Sequence, residues 1–240
     1  MIQPLMKPPS GGFSMPRPAL IRDPRLIPVI ATGAGQPSVP PERLRPQALR
    51  ERFAQTFAWQ PNLHGDGRVL PDRPLAQAAV LIALMLRPEG LTVLLTQRTA
   101  HLRDHAGQIS FPGGRSEPED ADAVVTALRE AQEEVGLSAD RVEVLGCLPS
   151  YTTITAYRVI PVVALVTPPL HWQPDPQEVA EIFEVPLSFL MAPEHHQQHG
   201  FEDQGARRSF FSMPWPNDQG YFIWGATAGM LRNLYHFLRA

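Results

Sequence analysis

The segment from Asp120 to Leu137 constrains this chain more than any other, because two patterns coincide in it. Apolar residues recur at the spacing of a helix that packs one face on a core, and they are Val124, Ala127, Leu128, Ala131 and Val135. The other surface carries three carboxylates, Glu130, Glu133 and Glu134. Because residues three and four apart share a helix face, we predict one acidic cluster. Asp120 is the predicted N-cap and Gly136 the predicted left-handed end of the helix.

Three like charges on one helix face repel one another at neutral pH, which costs the helix stability unless a cation lies near them. Ligand sets that contain only oxygen favour Mg²⁺ or Mn²⁺ over zinc. We therefore take Glu130, Glu133 and Glu134 as candidate metal ligands, with Glu130 and Glu134 as the main pair. The alternative is that these glutamates form an ordinary solvated helix face.

The residues before this helix favour the metal interpretation. Phe111-Pro112-Gly113-Gly114 predicts a tight turn that leads from a strand into a loop, since glycine permits backbone conformations closed to other residues. A glycine-rich loop beside an acidic helix places backbone N–H groups next to carboxylates. That combination suits a metal-bound diphosphate.

With these residues in view, the chain resembles the Nudix hydrolase family. The second half of the family's motif, Arg-Glu, an apolar residue, any residue, Glu-Glu, any residue, Gly and an apolar residue, matches residues 129–137. The first half matches after a one-residue insertion, which puts Gly114 and Asp120 in the places of the family's glycine and upstream glutamate. In the family, that upstream acid supports the loop more than the chemistry.

The resemblance implies a fold, a cofactor and a set of roles. The fold is α/β (α+β), a Nudix-like α/β/α sandwich with a mixed sheet, and the cofactor is Mg²⁺ or Mn²⁺. Glu130, Glu133 and Glu134 would be catalytic and would hold the metal. Arg129 would orient the glutamates or the loop by salt bridges.

A narrower resemblance covers residues 94–114. Leu-Leu-Thr-Gln-Arg at 94–98, then Arg103, Gly107 and Phe-Pro-Gly-Gly at 111–114, resemble the signature of the coenzyme A diphosphatase branch. Thr99 stands where that branch usually has Ser or Ala. The implied substrate is coenzyme A or a derivative, cleaved to 3′,5′-ADP and 4′-phosphopantetheine or its acyl form. The implied substrate-binding residues are Arg98, Arg103, Gly113 and Gly114, and guanidinium groups match phosphate oxygens well.

Two other functions stay open. The first is a Nudix hydrolase of another nucleoside diphosphate, such as ADP-ribose, NADH or a dinucleoside polyphosphate. The second is a non-catalytic Nudix module that binds a nucleotide and regulates a partner. Such modules usually lose the glutamates, whereas this chain keeps all three.

Composition limits the possible settings and partners. The 240 residues suit one large domain or a domain with an arm, and 43% hydrophobic residues suffice for a core. A net charge of -3 gives no electrostatic footprint for nucleic acid. No apolar run approaches the roughly 20 residues of a membrane span, and the N-terminus lacks the apolar core of a signal peptide. The one cysteine, Cys147, lies in an apolar run, so we predict a buried thiol and a cytoplasmic protein.

We divide the chain into three parts. Residues 1–41 form a proline-rich arm, extended or mobile, with a dimer-wrapping arm as the alternative that makes a homodimer possible. Residues 42–74 contain a helix and a linker, and residues 75–240 form the Nudix domain. Within it, 76–86 and 91–96 predict a hairpin around the turn 87–90.

Two further groups of residues are candidate ligands. Residues 178–183 predict a short turn, in which Glu178 and Glu181 are candidates for a further metal ligand or general base, or simply an exposed acidic turn. His195 and His199 have helical i, i+4 spacing on either side of His196. Because no third ligand is evident and the segment resembles a polar loop, a metal role for these histidines is disfavoured.

Overall fold

The computed structural model describes residues 21, 23–66, 74–100, 107–168, 171–203, 205–216 and 219–240. Arg103, a predicted substrate-binding residue, and residues 1–20 of the predicted arm lie outside the described residues. None of the helices in the described ranges has both the length and the apolar character that crossing a bilayer requires.

The described residues form four α-helices and twelve strands. The α-helices are α1 Pro46–Ala54, α2 Ala123–Val135, α3 Leu187–Leu190 and α4 Gly225–Arg239. The first six strands are β1 Val29–Thr32, β2 Ala76–Met85, β3 Thr92–Arg98, β4 Ile109–Ser110, β5 Gly113–Arg115 and β6 Val142–Cys147. The next six are β7 Tyr151–Thr152, β8 Tyr157–Val166, β9 Val179–Pro186, β10 Gln197–Asp203, β11 Ala206–Pro214 and β12 Phe222–Trp224.

The larger sheet has the strand order β4-β3-β2-β8-β6, and β5, β7 and β9 pair with β2, β8 and β3. β2 and β8 run parallel along their full lengths, from Ala76 opposite Tyr157 to Met85 opposite Val166. The other pairs in this sheet are antiparallel, so the sheet is mixed. Both parallel strands are apolar at almost every position, as expected for strands covered on both faces.

Helices cover both faces of this sheet. α2 lies on one face, where its buried residues share a cluster with Leu81 and Leu94. α4 lies on the opposite face, where Leu231 shares a second cluster with Ile82 and Leu95. The alternation of neighbouring strand residues between the two clusters follows from the two-residue period of a strand. The predicted α/β/α sandwich with a mixed sheet is therefore confirmed.

α2 forms where the sequence predicts it, with one correction at its start. The N-cap is Asp122, whose carboxylate accepts hydrogen bonds from two backbone N–H groups of the first turn at 2.8 and 3.0 Å. The predicted cap, Asp120, instead directs its carboxylate toward Arg129. Two aspartates precede the helix, and the sequence pattern did not distinguish them. Gly136 ends the helix in the left-handed region, with φ 73°, as predicted.

The loop that precedes α2 differs from the prediction. Gly113 and Gly114 lie in the short strand β5 rather than in a tight turn, because they pair with Val80 and Ala79 of β2. Pairing of this kind needs close approach of the two backbones. A Cβ at Gly113 would come within 2.4 Å of the Ala79 carbonyl oxygen, so only glycine fits there.

The 178–183 segment is also a strand rather than a turn. β9 begins at Val179 and pairs with β3, and its register shifts between the partners of Gln97 and Arg98. A bulge at this point changes which face each residue occupies. Val179 and Ile182 are three residues apart and would lie on opposite faces of a regular strand. Because of the bulge, both pack against α2.

A four-stranded antiparallel sheet, in the order β1-β10-β11-β12, incorporates the end of the predicted arm. The described part of the arm that follows β1 continues along α4. Gly33 donates a backbone hydrogen bond to His196 at 2.9 Å, and the Tyr235 hydroxyl donates to the Pro37 carbonyl at 2.8 Å. Residues 27–39, which we call the N-terminal segment, are therefore packed on their own chain.

The histidine segment is not a polar loop. His196 and His199 are buried, and β10 begins at Gln197. Both nitrogens of each buried ring have hydrogen-bond partners at 2.7 to 2.9 Å, which are Leu190 and Arg232 for His196, and Ile27 and Ser212 for His199. These histidines therefore serve the packing of the fold.

The prediction for Cys147 was wrong. Its side chain is exposed, because β6 is the edge strand of the larger sheet and its register shifts between Val144 and Gly146. The apolar run around the cysteine correctly indicated a strand, but it did not reveal that the strand lies at an edge.

Candidate active site

The site is built where α2 packs against β5 and the start of β9. Glu134 is the most buried of the three helix carboxylates, with 5% of the residue exposed. The backbone N–H of Gly113 donates to its Oε2 at 3.1 Å. A strand glycine thus supplies a hydrogen-bond donor to an otherwise desolvated carboxylate.

Glu130 lies against the next residue of the same strand. A Cβ at Gly114 would come within 2.5 Å of the Glu130 carboxylate. The Glu130 carboxylate therefore occupies the space that a side chain at position 114 would fill. The sequence predicted that the glycine segment lies beside the acidic helix, and the structure places Gly114 against Glu130.

Arg129 holds the exposed side of the cluster. Its Nη1 donates to Glu130 at 3.1 Å and to Glu133 at 3.0 Å. Its Nη2 donates to the Arg115 carbonyl at 3.1 Å and to Asp120 at 3.0 Å, and its Nε donates to Asp120 at 3.2 Å. The guanidinium thereby ties α2 to the loop that connects it to β5.

Asp120 is the acidic anchor of that loop. Besides Arg129, its Oδ2 accepts hydrogen bonds from the Glu117 backbone N–H and the Thr126 hydroxyl, both at 2.9 Å. The hydrogen bonds from Arg129 are the main reason that the pKa of Asp120 lies well below its usual range. A carboxylate fixed in this way stabilises the loop.

Arg98 and Glu178, from other parts of the chain, also lie at the site. The Arg98 guanidinium, at the end of β3, lies 3.7 Å from Glu134 through Nη1 and 3.7 Å from Glu178 through Nη2. Glu178 precedes β9, and the bulge in that strand brings it here. Two arginines and five carboxylates therefore meet where α2 packs on β5 and β9, and the carboxylates are those of Asp120, Glu130, Glu133, Glu134 and Glu178.

The electrostatics distinguish the carboxylates. Burial raises the pKa of Glu134 to about 7, against the opposing effects of the Gly113 hydrogen bond and of Arg98. Burial also raises the pKa of Glu130, against the effect of Arg129. Glu178 and Glu130 further raise the pKa of Glu134, and Glu133 and Glu178 raise that of Glu130, because like charges disfavour ionisation. A site of this kind gains from an added positive charge.

The fold and site together define a class of protein, an α/β domain in which the carboxylates of an acidic helix pack against a short strand that begins with two glycines. A family model described as NUDIX domain matches residues 75–203. Curated relatives named "Uncharacterized Nudix hydrolase NudL", from Escherichia coli (strain K12 / DH10B) and Salmonella newport (strain SL254), are each 44% identical over 160 residues, which cover 66% of this chain and 80% of the relative. The chain belongs to the NUDIX family.

Solved structures of the same family are also similar. A MutT/nudix family protein from Enterococcus faecalis is 16% identical with a TM-score of 0.43, and covers 69% of this chain and 63% of its own. An Ap4A hydrolase of C. elegans, in a binary complex, is 22% identical with a TM-score of 0.40, and covers 46% of this chain and 80% of its own. The family assignment rests on the family model and the bacterial relatives.

Membership establishes the general chemistry. Nudix hydrolases act on the diphosphate bonds of nucleoside diphosphate derivatives, and they generally require a divalent cation such as Mg²⁺ or Mn²⁺. This chain is accordingly a hydrolase of small-molecule nucleotide substrates.

The residues present fit such a cation, although they are not arranged around one. Within the described ranges, no three His, Cys, Asp or Glu side chains adopt a ready metal-binding geometry. Arg129 is instead paired with Glu130 and Glu133, and Arg98 lies 3.7 Å from Glu134. The donors are all oxygens, as Mg²⁺ and Mn²⁺ prefer. For Glu134 in particular, the Gly113 hydrogen bond and Arg98 lower the pKa by less than burial raises it.

Sequence reasoning located some of these residues better than others. The structure brings together Arg98, Gly113, Gly114, Glu130 and Glu134, which were identified from spacing and motif. It leaves Glu133 at the rim, with 60% of its side chain exposed. The approach of Glu178 depends on a bulge that no pattern in the sequence announces. Glu181, the other acid considered there, accepts a hydrogen bond from the Tyr221 hydroxyl at 2.5 Å.

Proposed function

We propose that this protein hydrolyses the diphosphate of coenzyme A or its derivatives to 3′,5′-ADP and 4′-phosphopantetheine, or the acyl form. The observation that carries the proposal is the position of Arg98, a residue of the coenzyme A diphosphatase signature, beside Glu134. The glycines of the same signature contact Glu130 and Glu134. The signature and the family motif therefore meet in one site.

In the proposed reaction, water adds to one phosphorus atom and the bond from that phosphorus to the bridging oxygen breaks, which leaves two phosphate monoesters. Glu130 and Glu134 would hold the cation, with Glu133 as a third ligand or a partner through water. Bound Mg²⁺ or Mn²⁺ supplies positive charge that neutralises the diphosphate and makes water a better nucleophile. Arg129 keeps Glu130 in place through its own hydrogen bonds.

The remaining roles concern the substrate. Arg98 and Arg103 would contact the phosphates, since a guanidinium presents paired donors to phosphate oxygens. Gly113 and Gly114 allow the substrate to approach the backbone of β5 closely. We further propose that the protein acts in the cytoplasm as a homodimer, which light scattering after size-exclusion chromatography would test.

The function is tested by supplying coenzyme A, dephospho-coenzyme A, ADP-ribose and NADH in turn, with Mg²⁺ or Mn²⁺, and separating the products by chromatography. We expect a strong preference for coenzyme A with 3′,5′-ADP as product. Preference for ADP-ribose or NADH would retain Nudix chemistry and contradict the coenzyme A assignment. No turnover of any of them would favour a nucleotide-binding module.

Two variants connect turnover to the site. Glu134→Gln removes the charge of the buried carboxylate at nearly constant shape, and we expect turnover to fall by about 100-fold or more. Glu89→Gln is the matched control, because Glu89 is exposed in the turn between β2 and β3 and should leave turnover unchanged. Equal turnover of the two variants would contradict the metal assignment.

A further inference from the structure

The two arginines of the site differ in how they contact the carboxylates. Arg129 makes five hydrogen bonds at 3.0 to 3.2 Å. Arg98 approaches Glu134 and Glu178 only to 3.7 Å, which is beyond the normal range of an N–H···O bond. The Nε–H of Arg98 is also buried without an acceptor among the described residues. Arg129 is thus fully bonded, whereas Arg98 contributes charge with few matched partners.

The backbone of Arg98 is nevertheless fixed. Its N–H donates to the Gln108 carbonyl at 2.9 Å, and its carbonyl accepts from the Gly107 N–H at 3.2 Å. The poor contacts therefore belong to the side chain. Long flexible arginine side chains can turn to a new partner without movement of the strand.

The charges around Arg98 explain why its side chain lies beside Glu134 and Glu178. Glu178 raises the pKa of Glu134 and that of Glu130, because like charges disfavour ionisation. With Arg129 bonded to Glu130 and Glu133, the cation nearest to both Glu134 and Glu178 in the described site is Arg98. A guanidinium is a broad, weakly hydrated charge that suits this position less well than a compact divalent ion.

We infer that Arg98 is a positioning residue that neutralises Glu134 and Glu178 in the metal-free protein and gives up this place when the divalent cation binds, after which its guanidinium turns to the diphosphate. The inference rests on the proposed function, from which it takes the cation and the diphosphate. It adds that the cation and Arg98 compete for the same carboxylates. Loading of the metal is then what makes Arg98 available to the substrate.

The competition is tested by Mn²⁺ binding to the free protein, with no nucleotide present, by isothermal titration calorimetry at about pH 8. Arg98→Gln removes the competing charge, and we expect Mn²⁺ to bind about fivefold more tightly or better than to the wild type. Arg98→Lys keeps a charge and should stay within about twofold of the wild type. Arg98→Met retains the aliphatic stem and repeats the test if Arg98→Gln does not fold.

A matched control separates competition from a general change in net charge. Arg115→Gln removes an exposed arginine from β5, the strand that also carries Gly113 and Gly114, and we expect it to bind Mn²⁺ as the wild type does. Unchanged or weaker binding by Arg98→Gln and Arg98→Met would overturn the inference. Equal tightening by Arg115→Gln would overturn it as well.

These outcomes are independent of the substrate assignment. Tighter Mn²⁺ binding in Arg98→Gln, together with preference for ADP-ribose over coenzyme A, would retain the inference and reject the proposed substrate. Unaltered Mn²⁺ binding with efficient coenzyme A hydrolysis would do the reverse.

Discussion

At the scale of single residues, the two glycines of β5 have different structural roles. Gly113 adopts φ +150° and approaches the backbone of β2, whereas Gly114 approaches the end of a flexible side chain, the Glu130 carboxylate. A backbone cannot move aside without breaking strand pairing, but a carboxylate can. The same added methyl group should therefore damage stability at one position and function at the other.

We expect Gly113→Ala to lower the free energy of unfolding by about 2 kcal/mol or more, because it combines a disfavoured φ with a backbone clash. We expect Gly114→Ala to change stability by less than about 1 kcal/mol but to lower turnover by about tenfold or more, because it displaces Glu130. Urea titrations and turnover assays measure the two effects. A folded Gly114→Ala enzyme with full activity would contradict the placement of Glu130 in the site.

The spacing of charges in α2 led directly to Glu130 and Glu134, because helix geometry converts sequence distance into a shared face. It could not show that Glu134 is buried and Glu133 is exposed, since burial depends on β5 and β9, which approach from other parts of the chain. The roles proposed for these residues and for Arg98 stay predictions. Arg103 lies outside the described residues.

At the scale of elements, α2 is fixed at both ends by backbone chemistry. Asp122 caps its first turn and Gly136 ends it. The sequence predicted the helix, its apolar face and its last residue, and placed the cap two residues early. Strand β9 and strand β10 were missed for a different reason, because a bulge and buried histidines obscure the alternation on which strand prediction depends.

The position of the cap can be tested directly. Asp122→Ala leaves two N–H groups of the first turn without their acceptor, so we expect a loss of about 1 kcal/mol in the free energy of unfolding. Glu119→Ala, an exposed acid in the same loop, should cost much less. Urea denaturation of both variants and the wild type gives the comparison. Equal stability of the two variants would show that the Asp122 hydrogen bonds contribute little.

At the scale of the whole molecule, the N-terminal segment and α4 are joined by buried polar groups. Arg232 donates to Gln36 at 2.8 Å and to the Nδ1 of His196 at 2.9 Å, and His196 has 0% of its surface exposed. Composition predicted an arm here, but no local pattern predicted that its end would pack on the last helix. Contacts of that kind join residues almost 200 positions apart, beyond the reach of periodicity.

This arrangement makes stability depend on pH. Burial lowers the pKa of His196 from 6.5 to about 4, against its hydrogen bond to Leu190 and with a further lowering from Arg232. Between these two values the unfolded chain binds a proton that the folded chain does not, so acid favours unfolding. The contribution of His196 is fully present above pH 6.5, and we expect about 2 kcal/mol to be lost by about pH 5.

Urea titrations at about pH 7 and about pH 5 measure the loss. His196→Gln cannot titrate, yet its amide can reach the Leu190 carbonyl, so we expect its stability to fall less over the same interval. Carboxylates titrate equally in both proteins and cancel in the comparison. Parallel pH dependences would contradict the assignment to His196.

The pairing of β2 with β8 has a consequence for the synthesis of this protein. Tyr157 follows its partner Ala76 by about 80 residues, so β2 leaves the ribosome long before β8, the strand that pairs with it. β1 remains unpaired for longer still, because its partner β10 begins only at Gln197. Every nascent chain therefore passes through a stage in which an apolar strand lacks its neighbour, and this is the stage at which a chaperone matters most.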